Sequence, residues 1–285
     1  MIEAKARENI DHQVVESFGE EWTQFDQRGA SITDLQSMFH QFFRIFPWNA
    51  LPSQAVGFDL GCGSGRWARF VSQRVTCLHC IDPSEAALSV AMQNLSDLSN
   101  CVFHLASVDH IPLADNSNDF GYALGVLHHI PDTAAGIRSC VRKLKAGAPL
   151  LLYLYYAFDN RPLWFRMIWR ASNVVRTGIS RCPFLLRYTL SQIIAALVYW
   201  PLARASFLLE RLGFNVEALP LSWYRRRNFY TMRTDALDRF GTRLEKRFTA
   251  EQILQMMKEA GLERITFNDS MPYWCVIGFK KLCAE

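Results

Sequence analysis

The sequence predicts an α/β fold, a doubly wound and mostly parallel sheet, and three observations carry that prediction. Short apolar runs at 55–60, 75–81, 102–106, 119–125 and 148–155 fit strands buried on both faces. The stretches between them carry helix punctuation. The first run passes directly into three alternating glycines, Gly61, Gly63 and Gly65, which let a ligand approach bare backbone where a strand turns into a helix.

The elements follow in order. Residues 1–50 read as a helical cap rich in aromatics, a stripe that serves packing first. Residues 51–156 form the core. A helix is expected at 64–73, with its first-turn amides facing the loop. Ser84 caps the next helix, whose Leu88, Ala91, Met92 and Leu95 share one face. Asp132 caps a later helix, Arg142, Lys143 and Lys145 crowd its last turn, and Gly147 suits its end. After residue 156 the alternation stops. It resumes near 248, where Thr249 and Gln252 make a capping box, Phe248 can staple onto Ile253, and Gly261 ends the helix. Runs at 262–268 and 274–280 are close enough to pair antiparallel. Residues 157–248 are thus a largely helical insertion, and 249–285 complete the core.

The glycine loop discriminates between ligands. A dinucleotide turn wants G-x-G-x-x-G, but Arg66 stands where the third glycine belongs, and the pattern here is D-x-G-x-G-x-G from Asp59. A carboxylate at the end of the first strand suits a cationic ligand better than a pyrophosphate.

With Cys80-Ile81-Asp82-Pro83-Ser84, the run from Ser107 to Phe120 and Gly125-Val126-Leu127-His128-His129-Ile130-Pro131-Asp132, the chain resembles the class I S-adenosylmethionine-dependent methyltransferases, in particular the branch of the ubiquinone and menaquinone C-methyltransferases. The resemblance covers roughly residues 50 to 155 and 249 to 280. It implies a Rossmann-like sheet of seven strands ending in an antiparallel hairpin, with S-adenosylmethionine as cofactor. On that reading Asp59 lies by the amino acid end, and Gly61, Cys62, Gly63 and Gly65 form the contact surface. Asp82, followed by Pro83, takes the ribose hydroxyls. Ser107 stands where many relatives hold the adenine amino group with an aspartate, so Asp109 or a backbone carbonyl substitutes beside Val108. Gly125 and Val126 follow the fourth strand near the methyl donor. His128 and His129 come next, as an acceptor-orienting pair or base, or as helix-entry packing. No metal site is expected, and the D-P-P-Y signature of base amino-methylases is absent.

The formal charge of +4 hides an uneven distribution: residues 157–248 hold sixteen basic and six acidic side chains, and fifteen of the sixteen are Arg. Arg suits bidentate recognition of phosphate or carboxylate and stacking on aromatics. Two readings of the insertion stand: a lid packed on the core, or a lid that also contacts an anionic membrane and grips an amphipathic acceptor. Tyr224 and Asp235, within an Arg-rich cluster, are candidates to orient the acceptor or take its proton. A salt-bridged connector explains that cluster equally well.

The function expected is methyl transfer to a small hydroxylated or amphipathic acceptor such as a sugar, lipid-linked glycan or quinone precursor. C-methylation in quinone or lipid biosynthesis is the alternative, and a noncatalytic cofactor-binding module is a third reading. Nucleic acid is disfavoured as a partner, and the oligomeric state stays open. The eight cysteines read as reduced core thiols of a cytoplasmic protein, with Cys77 and Cys80 on opposite strand faces rather than on one metal. Residues 1–10 are charged and lack a signal peptide's apolar region. The longest apolar run, 193–203, includes Pro201 and is far shorter than the roughly 20 residues of a spanning helix.

Overall fold

Seven strands form one sheet in the computed structural model, which describes residues 8–282. They are β1 (Val56–Leu60), β2 (Cys77–Asp82), β3 (Cys101–Leu105), β4 (Phe120–Leu124), β5 (Pro149–Tyr153), β6 (Leu262–Phe267) and β7 (Cys275–Lys280), in the order β3-β2-β1-β4-β5-β7-β6. β7 alone runs opposite to the other six strands, pairing antiparallel with β5 and β6. The chain order reverses between β1 and β4, which opens a crevice at the carboxyl ends of both strands. Alternation along each strand sends side chains to two cores. Leu78, Tyr122 and Leu151 meet Trp67 and Phe70 on one face, and Phe58, Ile81 and Leu150 meet Ile137 and Met257 on the other.

Ten α-helices are described. α1 (His12–Gln24) and α2 (Ile32–Phe42) cap the sheet edge; Phe39, Phe43 and Phe46 pack into the core, whereas Phe18 and Trp22 do not. α3 (Ala68–Val71), α4 (Glu85–Asn94), α5 (Thr133–Lys143) and α10 (Ala250–Glu259) flank the sheet. The expected caps of α4, α5 and α10 are made: Ser84 Oγ accepts from Ala87 N, Asp132 Oδ1 from Ala135 N, and Thr249 with Gln252 closes a reciprocal box. Phe248 packs against the cluster containing Ile253.

Three expectations change. The helix after β1 starts at Ala68 rather than 64 and is only four residues long, because Gly61, Gly63 and Gly65 all hold positive φ and keep the loop in turns. Gly147 lies beyond the end of α5 at Lys143 and serves the turn into β5. The insertion, α6 (Leu163–Ile179), α7 (Phe184–Ile194), α8 (Trp200–Arg211) and α9 (Phe229–Gly241), leaves and rejoins the core at a parallel bridge between Tyr156 and Phe248. Within it a π turn, Ala195–Tyr199, joins α7 to α8, so Phe184–Arg211 is one helix of 28 residues, long and apolar enough to cross a membrane by length and composition. Pro201 does not end it and sits where the π turn passes into α8. The seven described cysteines are all free thiols; Cys283 and residues 1–7 lie outside the described residues.

Asp59 is buried in this core, where the Tyr122 hydroxyl donates to Oδ2 at 2.9 Å. Burial pushes its carboxyl up to about 8, so it stays largely protonated at neutral pH. A carboxyl raised on folding binds its proton more tightly in the native state, so its stabilising contribution is complete at low pH and is lost as pH rises through 8. Between pH 6 and 8, Asp59→Asn is expected to flatten the fall in stability by up to about 1.4 kcal/mol per pH unit, as read by urea unfolding at pH 6, 7 and 8. Equal slopes in both proteins would remove this assignment.

Candidate active site

A cavity of about 640 Å³ lies at the carboxyl ends of β1, β2 and β4, roofed by α1 and the insertion. Its size is ample for a nucleoside-sized ligand and a second molecule.

The floor comes from the sheet. Gly61, Cys62, Asp82, Pro83, Gly125 and Val126 line it. At Gly61, φ is +73° and an added Cβ would fall 2.3 Å from Val126, so a side chain would close the turn. Gly125, at φ +83°, is the opposite case: a Cβ there would meet no atom within 4 Å and would project into open space. Asp82 ends β2 and takes two backbone hydrogen bonds, Gly63 N to Oδ2 and Ser84 N to Oδ1, both at 2.9 Å. The Gly63 amide is therefore spent on Asp82 rather than aimed at a ligand. Burial pushes the Asp82 carboxyl up to about 6, against the lowering effect of those two amides.

Not every residue singled out in the sequence reaches the cavity. Ser107 and Val108 line it. Asp59 turns into the core, Gly63 and Gly65 are covered by Trp22 and Leu95, and Asp109 accepts from Asn9 N. His128 is buried with both ring nitrogens unpartnered and stacks on Tyr155 at 3.8 Å. Burial, then His129, hold it well below the ordinary histidine range, so it is a neutral packing group.

His129 does reach the cavity. Its Nδ1 lies 2.7 Å from the Leu244 carbonyl oxygen, which can only accept, so Nδ1 carries the proton and Nε2 keeps a free lone pair. Nε2 is buried without a hydrogen-bond partner, 3.9 Å from Asp238 Oδ1. The Tyr155 hydroxyl donates to Asp238 Oδ2 at 2.6 Å. Burial, then the Asp238 charge, raise that phenol well above its usual range, so it remains a donor. Opposite, the Tyr224 hydroxyl donates to Asp235 Oδ2 at 2.8 Å, and burial lifts the Asp235 carboxyl to about 6. Both line the cavity. The rest of the Arg-rich cluster is a connector, with Arg225 and Arg226 on Glu210, and Arg233 on Tyr188 and Gln192.

α1 supplies residues that sequence reasoning missed. Glu21, 2% exposed, lines the cavity with a carboxyl that makes no hydrogen bond to any described residue, and burial followed by repulsion from Asp238 and Asp235 raises that carboxyl. Arg66 also lines the cavity and lies over the Trp22 and Trp67 rings. The signal was present: Val14, Phe18 and Phe25 share a helix face at spacings of four and seven, and Glu21 interrupts it.

Residues 58–152 match the family profile "Methyltransferase domain". Over 103 residues the chain is 33% identical to a ubiquinone biosynthesis O-methyltransferase of Hahella chejuensis, covering 35% of this chain and 43% of that protein. Over 97 residues it is 29% identical to a tRNA U34 carboxymethyltransferase of Desulfotalea psychrophila, covering 33% of this chain and 30% of that protein. The match thus spans less than half the length of these curated relatives. A candidate methyltransferase from Bacillus halodurans superposes with a TM-score of 0.50 at 15% identity, covering 81% of this chain and 72% of that one, a likeness of fold alone.

The cofactor of this family is S-adenosylmethionine, and the residues present fit it. Gly125 leaves an open cradle, Asp82 offers a carboxylate at the end of β2, and Asp235 and Asp238 give the cavity acidic groups suited to a sulfonium cation. Residues 58–152 are therefore a class I S-adenosylmethionine-dependent methyltransferase domain, resembling the ubiquinone branch of that family.

Proposed function

We propose that the protein transfers a methyl group from S-adenosylmethionine to the hydroxyl of a small amphipathic acceptor. The observation that carries this reading is the fixed tautomer of His129, a cavity-lining residue whose buried Nε2 keeps an unpartnered lone pair. Such a nitrogen is a ready proton acceptor for a hydroxyl placed beside it. Asp238, held by Tyr155, stands close enough to stabilise the imidazolium that results. With its proton given to Asp235, the Tyr224 oxygen and the second Asp235 oxygen keep acceptor capacity for a polar hydrogen of the acceptor. The cofactor, when bound, supplies a methyl group already activated by its sulfonium, so proximity and alignment do most of the remaining work.

The amphipathic character of the acceptor follows from the walls. One part of the lining, from the turn after β4 and from α9, carries His129, Asp235, Asp238 and Arg239, whereas the other end, from α6 and the long helix, carries Phe165, Ile168, Ile194, Val198 and Leu202. A ligand matching both ends has a polar head and an apolar body.

The purified protein is expected to bind S-adenosylmethionine in calorimetry and, with labelled cofactor and a lysate, to place the label in the lipid or lipid-linked glycan fraction. Binding without transfer to any fraction would favour a noncatalytic module. Label in the RNA fraction, with salt-sensitive association, would replace the acceptor class.

A further inference from the structure

The insertion leaves a large apolar surface without a partner. Of the twenty-three large apolar side chains exposed among the described residues, seventeen lie between positions 163 and 214. They are ordered. On the 28-residue helix, Leu186, Ile193, Leu197, Trp200 and Leu208 recur at intervals that hold one face, and on α6, Leu163, Met167 and Val174 do the same. A patch of this extent on a monomer marks an interaction site.

The cavity opens on this face. Ile168 and Val175 of α6, and Val198 and Leu202 of the long helix, line the cavity and are each between 43% and 54% exposed. The apolar end of the cavity and the outer apolar face are one continuous surface.

Charge selects the occupant. Residues 161–216 contain eight Arg and a single acidic residue, Glu210, which already pairs with Arg225 and Arg226. Arg166, Arg170 and Arg181 are exposed and form no ion pair with any described residue. Two copies of such a face would set like charges against each other, whereas an anionic surface complements them. The helix is also anchored on its inner side, which keeps it from leaving the domain to span a bilayer. Ser191, Ala195, Tyr199, Ala203 and Ser206 are buried, Arg187 is ion-paired with Glu20, and the Arg204 guanidinium donates to the carbonyls of Arg225 and Arg227. A helix with one face committed to its domain, the other apolar, and flanking arginines and tryptophans lies in the plane of an interface.

We propose that the outer face of α6 and of the helix Phe184–Arg211 seats on an anionic lipid bilayer, so that the cavity opens toward the acyl layer and takes its acceptor from the membrane. The docking stands independently of the methyl-transfer reading; only the acceptor's route rests on it.

Flotation with vesicles of phosphatidylcholine, alone or with about one-third phosphatidylglycerol, tests it. The full chain is expected to float with the anionic vesicles and at least tenfold less with the neutral ones. The triple variant Val174→Glu, Leu185→Glu and Leu197→Glu changes exposed positions that do not line the cavity, and is expected to lose flotation by at least tenfold with an unchanged thermal melt. Arg166→Gln, Arg170→Gln and Arg181→Gln should each weaken binding to anionic vesicles about fivefold. A wild-type protein that stays at the bottom of the gradient with anionic vesicles overturns the proposal, as does light scattering that shows a non-floating dimer dissociated by the triple variant. Calorimetry with S-adenosylmethionine on the same preparations separates the two readings: binding without flotation removes the docking alone, and flotation without binding removes the methyl transfer alone.

Discussion

Replacing Asp82 with alanine is expected to weaken S-adenosylmethionine binding by at least about 100-fold, because in the proposed site one carboxylate serves both the ligand and the loop that shapes it. Its two oxygens take the amides of Gly63 and Ser84, and each retains acceptor capacity on the cavity side. Hydrogen bonds to a charged group are worth about 1.5–3 kcal/mol each, so losing those to the ribose hydroxyls alone accounts for the predicted factor. Asp82→Asn keeps an acceptor oxygen but sets an amide donor against a backbone donor, and should fall between alanine and wild type. The pH dependence gives a second readout. With the free carboxyl pushed up to about 6, affinity should be level from pH 7 to 8 and fall up to tenfold per unit below pH 6, as acceptor capacity is lost to the proton. Stability moves the opposite way. A raised carboxyl favours the fold at low pH, and that contribution is lost as pH rises through 6. Calorimetry at pH 5, 6, 7 and 8 reads the first effect and urea unfolding the second. A loss under fivefold in Asp82→Ala would separate this carboxylate from the cofactor.

The position of Asp82 was legible in the sequence because it is set locally: an acidic residue at the end of an apolar strand, two positions before a helix cap. The central parallel strands were legible for the same reason, since burial on both faces leaves continuous apolar runs such as Leu150, Leu151 and Leu152, whereas β3, at the sheet edge, leaves Val102 and Leu105 exposed. The glycine loop was found, but its amides were misassigned. A strand-to-helix reading supposes a free first turn, whereas positive φ at three glycines delays the helix to Ala68 and leaves the Gly63 amide to Asp82. Asp59 shows the limit of motif reading more sharply: its fate depends on Tyr122, 63 positions away on β4, which turns the carboxyl inward. The polar end of the cavity was half visible. Tyr224 and Asp235 lie eleven positions apart and were noticed together, but Glu21, Tyr155 and Asp238 converge from three distant segments, and no local spacing encodes that. The long helix was underestimated because an uninterrupted apolar run is a poor measure of an amphipathic helix. Gln192 and Arg204 bound the run while pairing with Arg233 and with backbone carbonyls, so they do not interrupt the apolar face.

Changing His129 to asparagine is expected to lower kcat by about 10²- to 10⁴-fold while leaving S-adenosylmethionine affinity within threefold. Asparagine can keep a donor toward the Leu244 carbonyl, so the local backbone is held, but it removes the lone pair of Nε2. The two effects are separable because the residues proposed to hold the cofactor, Gly61, Asp82 and Gly125, lie at the carboxyl ends of β1, β2 and β4, whereas His129 is oriented by Leu244 and Asp238 at the edge of the insertion. Asp238→Asn should cost about tenfold by withdrawing the charge that stabilises the imidazolium, and in the His129→Asn background it should cost little, since the two act as one unit. Single-turnover transfer of labelled methyl to the lipid fraction reads the rate, and calorimetry reads the affinity. If His129→Asn keeps more than a third of the rate, no base at this position takes a proton during transfer. The hydroxyl acceptor would then give way to a carbon or nitrogen centre that needs none.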